Sequence, residues 1–193
     1  GRRGSYSGNL IVNGMQGHVG YPHLAKNPIN PMLKLIQPLA ELELDKGNEN
    51  FEPSTIMITS IDVGNPSYNI IPAKVSAKFN IRFNNLHSSK SLTKMLTEKF
   101  ESLNISNYSF DYFCNAEPFY TNPGRLVESL KRAIKSITGL VPNLSTNGGT
   151  SDARFIRDIC PVVEFGLVGK LMHKIDEKVS IDDINNLKKI YKN

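Results

Sequence analysis

The chain has 193 residues, enough for one domain or two small ones, and its 39 % apolar and 21 % charged residues suit a soluble globular protein. The formal net charge is +5 and the pI about 9.1, but the charge is dispersed. Lys90, Lys94 and Lys99 stand among polar and apolar neighbours, so they read as a solvated helix face rather than a nucleic-acid patch. No apolar run approaches the roughly 18 residues of a membrane span. Cys114 and Cys160 are far apart, which argues against a disulfide framework and fits a reducing, cytoplasmic setting. No signal peptide is visible, and a chain that starts Gly1-Arg2-Arg3 is expected to begin partway into a longer protein.

Residues 8–19 alternate in part, with Leu10 and Val12 on one side, and predict a strand. Residues 29–44 place Ile29, Met32, Leu33, Leu35, Ile36, Leu39 and Leu42 at helical spacing. Pro28 and Pro31 suit the start of that helix, where no amide donor is needed; Pro38 should kink it and Gly47 should end it. Residues 55–63 predict a strand burying Ile56, Ile58 and Ile61, and Gly64-Asn65-Pro66-Ser67 a turn. Residues 73–83 alternate cleanly. Val75, Ala77, Phe79, Ile81 and Phe83 face a core; Lys74, Ser76, Lys78, Asn80 and Arg82 face water or a ligand. A helix over 89–102, striped by Leu92, Met95, Leu96 and Phe100, and a strand over 106–114 complete the set.

Strand, helix, strand, strand, helix, strand is the split βαβ order, an antiparallel ferredoxin-like sheet with both helices on one face, spanning about residues 5–115. The rest reads as a piece of a larger α/β domain. It has a helix over 123–137, a glycine-rich turn at 147–152 leading into a short helix, a strand from Cys160 to Phe165, and a helix over 181–191. The predicted division is residues 1–117 and 118–193.

Several residues carry possible chemistry, each with a plainer alternative. His173 follows a predicted buried strand and suits a metal ligand or a surface histidine. His18 and His23 flank a loop, but two histidines five apart do not define a metal site. Gly149, Thr150 and Ser151 open a helix, where amides hold anions or simply make a capped turn. Asn69 reads as a turn residue. Arg82 offers a planar fork for carboxylates or a surface salt bridge. Arg2 is an anion contact or part of a frayed end. Asp152 and Glu164 are isolated acids.

The wording and order of these segments say more than each alone. Gly1-Arg2-Arg3-Gly4-Ser5, Gln16-Gly17-His18-Val19-Gly20-Tyr21-Pro22-His23-Leu24-Ala25, Asn69-Ile70-Ile71-Pro72, Phe79-Asn80-Ile81-Arg82-Phe83, Gly148-Gly149-Thr150-Ser151-Asp152 and His173-Lys174-Ile175-Asp176-Glu177 resemble the succinyl-diaminopimelate desuccinylase family of two-metal amidohydrolases. The resemblance covers nearly the whole chain.

It implies hydrolysis of N-succinyl-LL-2,6-diaminopimelate to succinate and LL-2,6-diaminopimelate, in bacterial lysine biosynthesis. It implies a cytoplasmic homodimer acting on a small carboxylate-bearing substrate, with no nucleic-acid or membrane partner and two zinc ions per subunit, one replaceable by cobalt. Residues 1–117 would be the dimerisation domain and 118–193 the closing part of the catalytic domain. His173 would be the last metal ligand, and His18 the catalytic histidine that reaches across the dimer to the oxyanion. Arg2, Asn69, Arg82, Gly149, Thr150 and Ser151 would hold substrate. Two metals would polarise the amide carbonyl and acidify a bridging water. The other metal ligands and the general-base glutamate would lie upstream of Gly1, so this chain alone is expected to be inactive. Gly169 stands where an asparagine is expected, and Gly20 where alanine is usual.

A non-catalytic dimerisation module is the competing reading, with a related two-metal deacylase beside it. A ferredoxin-like RNA binder would need exposed strand aromatics, and Phe79 and Phe83 fall on the predicted core face.

Overall fold

A computed structural model describes residues 1–193, and the chain divides into two units. The first comprises Arg2–Phe119 and Thr146–Thr150; the second comprises Gly1, Tyr120–Ser145 and Ser151–Asn193.

In the first unit, β1 (Gly4–Asn13), β3 (Thr55–Asp62), β5 (Lys74–Phe83) and β6 (Tyr108–Ala116) form one antiparallel sheet in the order β3-β5-β1-β6. Two short strands, β2 (Gly17–His18) and β4 (Ile70–Ile71), pair separately. The helices α1 (Ile29–Ala40) and α2 (Ser89–Glu101) each put a buried stripe into one core, so both cover the same face, as the split βαβ order requires. Met32, Leu35, Ile36 and Leu39 come from α1, and Leu92, Leu96 and Phe100 from α2. They meet Tyr6, Leu10 and Val12 of β1 and Val75, Ala77, Phe79, Ile81 and Phe83 of β5. Phe79 and Phe83 are 2 % and 0 % exposed, which removes them as stacking platforms for bases.

Two glycines in β1 make this core possible. Gly4 lies opposite Phe83 and Gly8 opposite Phe79 in the β1–β5 register. A Cβ on Gly8 would sit 2.1 Å from the tip of the Phe79 ring, and one on Gly4 would sit 2.4 Å from that of Phe83. The rings therefore fold over bare backbone. The two outer pairings each carry an irregularity, near Thr59 in β3 and Asn115 in β6, where bulges add twist. Tyr6 sends its hydroxyl to Thr93 Oγ1 of α2 at 2.9 Å, and burial pushes its pKa up to about 12.

The helix starts and stops follow local chemistry. Asn27 Oδ1 accepts the Ile29 amide before α1. This helix ends at Ala40 rather than at residue 44: Pro38 denies Lys34 an amide donor in the last turn, and the chain leaves the helix soon after. Gly47 has φ +75° in the following loop and is not the helix cap. Ser88 and Ser91 cap α2 reciprocally, with Ser91 N–H donating to Ser88 Oγ at 3.2 Å and Ser88 N–H to Ser91 Oγ at 2.9 Å. Ile56 and Ile58 are partly buried as expected, whereas Ile61 is 51 % exposed beyond the β3 bulge.

The second unit holds α3 (Arg125–Thr138), α4 (Ala153–Ile156) and α5 (Ile181–Lys192). Its core is small: Ala133, Ile134 and Ile190, with Leu130, Ile137 and Phe165 packed around them. Gly139, at φ +74°, ends α3 in the left-handed conformation. The expected strand at Cys160–Phe165 does not form, because no neighbouring strand in this unit pairs with it. No helix of the chain is long and apolar enough to cross a membrane.

Candidate functional site

His18 ends β2, and its backbone pairs with Ile70 of β4. One residue on, Val19 N–H donates to the Asn69 carbonyl at 3.0 Å, so the short ladder brings His18 and Asn69 to the same end of the first unit. The exposed imidazole is oriented locally. Gly20 N–H donates to His18 Nδ1 at 3.0 Å, and the Tyr21 ring lies 5.7 Å from the imidazole. A neutral histidine whose Nδ1 accepts must carry its proton on Nε2, so His18 presents an outward Nε2–H donor. A Cβ on residue 20 would come within 3.1 Å of Nδ1, so glycine here relieves a tight contact. Asn65 braces the partner loop, sending Nδ2 to the Ile70 carbonyl at 2.9 Å and accepting the Ser67 amide at 3.1 Å.

Arg82 lies on the helix-free face of β5, between Ser5 of β1 and Thr55 of β3. Its side chain is half-buried, and none of the salt bridges of the chain includes it. Beside it, Asn80 Nδ2 donates to Ser7 Oγ at 3.1 Å and Ser5 Oγ at 3.3 Å, while Ser7 Oγ donates to Asn115 Oδ1 at 3.3 Å. The polar alternation of 74–83 thus becomes a hydrogen-bonded face with one planar cation available to an acid.

Arg2 makes a backbone bridge with Phe119 and donates through Nη1 to the Asn147 carbonyl. Gly149 and Thr150 follow within the same unit, exposed. Ser151 is the first residue of the second unit there, and its hydroxyl accepts the Ala153 amide at 3.0 Å in a local turn before α4, whose N-cap residue is Asp152. His173, also in the second unit, is exposed with φ +60°, inside a turn closed by Met172 N–H to Gly169 O and Lys174 N–H to Leu171 O, both 3.1 Å. Nowhere in the chain do three His, Cys, Asp or Glu side chains converge as a metal site needs. His173 belongs to no such group of three, so these residues alone do not make a metal centre.

Three contributors escape sequence reading: Asp45, Asn84 and Glu52. The Asp45 carboxylate accepts from the Gly47 amide (2.7 Å), the Ser54 amide (3.3 Å) and Asn84 Nδ2 (2.6 Å), and His87 Nε2 lies 3.2 Å away. Burial works to raise its pKa, but the bonds from Ser54, Gly47 and Asn84 together outweigh it and hold the carboxyl below its ordinary value. Glu52 accepts from Asn147 across 95 residues of chain. No local pattern encodes partners that distant.

Residues 1–107, more than half of the chain, match the peptidase dimerisation domain of the M20 group, and the chain belongs to that family. It is also 50 % identical over 192 residues to a succinyl-diaminopimelate desuccinylase of Xanthobacter autotrophicus, covering 99 % of this chain and 51 % of that protein. A succinyl-diaminopimelate desuccinylase of Pelagibacter ubique is 47 % identical over 194 residues, covering 99 % and 50 %. The chain spans about half the length of the curated relatives it matches. Among solved structures, a tripeptidase from Staphylococcus aureus superposes with a TM-score of 0.77 at 20 % identity, covering 98 % of this chain and 50 % of that one, a likeness of fold.

Proposed function

We propose that this chain is part of a cytoplasmic succinyl-diaminopimelate desuccinylase, which hydrolyses the amide of N-succinyl-LL-2,6-diaminopimelate to succinate and LL-2,6-diaminopimelate. The observation that carries the reading is 47–50 % identity to desuccinylases along essentially the whole chain. In this reading residues 1–117 serve dimerisation and 118–193 belong to the catalytic domain. The complete enzyme works as a homodimer on two divalent metals, zinc with cobalt as a substitute. His173 contributes one ligand; the others and the general base come from outside these residues.

What this chain supplies is orientation and charge. His18, fixed by the Gly20 amide, offers Nε2–H to the oxyanion that develops when the amide is attacked; such a donor is worth about 3 kcal/mol. Arg82 offers a bidentate partner for a substrate carboxylate, with Asn69, Arg2 and the Gly149-Thr150-Ser151 turn as further substrate contacts.

A second reading rests on the match of residues 1–107 to a dimerisation domain: taken alone, the chain is a non-catalytic dimerising module. One experiment addresses both. The complete protein and the 193-residue chain are each assayed for succinate release with added zinc, and each is sized by sedimentation. Release by the complete protein alone, with both species dimeric, is the expected result. A complete protein idle on this substrate would overturn the enzyme reading, and a monomeric 193-residue chain would overturn the dimerisation reading.

A further inference from the structure

The Gly149–Thr150 turn belongs to the first unit, and it is tied there at several points. Thr146 is buried and donates Oγ1 to the Asn50 carbonyl at 2.7 Å. Asn147 is gripped twice: Arg2 takes its backbone carbonyl, and Glu52 Oε1 accepts its side-chain amide at 3.0 Å. One partner in each bond is charged, which strengthens both. Gly148 then turns at φ +107°, and a Cβ there would lie 3.2 Å from Arg2 Nη1. The turn is therefore laid directly on the guanidinium, in a conformation that suits glycine.

The loop that grips Asn147 is itself braced. Asp45 holds the Gly47 and Ser54 amides, and Asn84 Nδ2 bridges from Asp45 Oδ1 (2.6 Å) to the Glu52 carbonyl (3.1 Å). Asn84 is fully buried and stands two residues beyond Arg82. One hydrogen-bonded scaffold thus runs from the end of β5 to the Gly149–Thr150 turn.

We propose that Glu52, seconded by Arg2, is a positioning residue for the Gly149–Thr150 turn in the hydrolysis described above, an inference that rests on that reading. Glu52 touches no reacting atom; it fixes Asn147 so that the next residues meet the substrate in one geometry. Misplacing a substrate contact by about 1 Å can cost on the order of a hundred-fold in rate.

The test uses the complete enzyme with Glu52→Ala and Glu52→Gln, the glutamine keeping an oxygen that accepts the Asn147 amide. Glu52 is exposed, so both variants should fold. Glu52→Ala is expected to lower kcat/KM by roughly ten-fold or more. It should also raise the mobility of the backbone at residues 147–150, read as lower NMR order parameters there, with β1 and β5 unchanged. Glu52→Gln should restore most of both. Wild-type order parameters at 147–150 in Glu52→Ala overturn the proposal, as does an equal loss in both variants, which would point to charge rather than the accepted bond. If the unaltered enzyme is idle on the succinylated substrate, the functional reading falls and the order parameters still decide the clamp.

Discussion

The two units bury their apolar residues very differently. In the first, both helices and the sheet share one core, and Tyr6, Leu10, Leu35, Leu39, Ile81, Phe83, Leu92, Leu96 and Phe100 are completely buried. In the second, the cluster between α3 and α5 holds three buried residues, with Val127 and Ala153 buried outside it, while Ile159 and Ile175 are 84 % and 95 % exposed. The first unit has a sheet on which to lay its helices; the second has none of its own. Helical periodicity shapes a helix in either place, but only a covering layer turns its apolar stripe into stability.

The sharpest way to break this comparison is a pair of truncations. Phe79→Ala should cost about 3–5 kcal/mol and unfold the first unit cooperatively. Ile190→Ala, in a core that is thin to begin with, should cost about 1–2 kcal/mol, below the usual range for a deep core. Urea unfolding followed by circular dichroism reads both; equal losses would mean that the second unit is as well packed as the first.

The next largest effect concerns work rather than stability. In the complete enzyme, His18→Ala should lower kcat by roughly a hundred-fold or more with KM changed little. Steady-state kinetics reads this, and an unchanged kcat would remove His18 from the mechanism and leave the first unit a scaffold only. Gly8→Ala should destabilise the first unit by about 1–3 kcal/mol, because its methyl would enter the Phe79 ring. A thermal melt showing no loss would mean that the ring can swing aside.

The smallest effect is a pH dependence confined to the first unit. The Asp45 carboxyl sits below its ordinary 3.8 in the folded state, so its stabilising contribution is complete above that value and is lost as pH falls through the folded pKa. Asp45→Asn should therefore lower stability at pH 7, and its gap to the unaltered protein should close below about pH 4. A gap that stays constant as the solution is acidified from neutrality would assign the effect to packing instead.

The split βαβ order was legible because each element signals its own period. The alternation of 73–83 appears as β5 with Val75, Phe79 and Ile81 inward, and the stripe of 89–102 appears as α2. Where a neighbour decides the outcome, the sequence is silent. Cys160–Phe165 has a strand's composition but no partner to pair with, and Ile61 is turned outward by a bulge that no residue type announces. The candidate site divides the same way. His18, Asn69 and Arg82 stand out within short segments, but the Gly20 amide that sets the His18 tautomer, and the grip of Glu52 on Asn147, depend on folded geometry.

The path of the backbone between the two units has a practical consequence for anyone hoping to transplant one of them. Beyond the first residue, it passes between them after Phe119, again after Ser145 and once more after Thr150. A module joined by a single linker can be cut out and grafted; this one would leave behind the five-residue stretch Thr146–Thr150 on which its own turn depends. A chimera that exchanged residues 2–119 alone would pair a foreign loop with a resident Asn147. Recombination breakpoints that keep Glu52 and Asn147 from the same parent should therefore give functional hybrids more often than those that separate them.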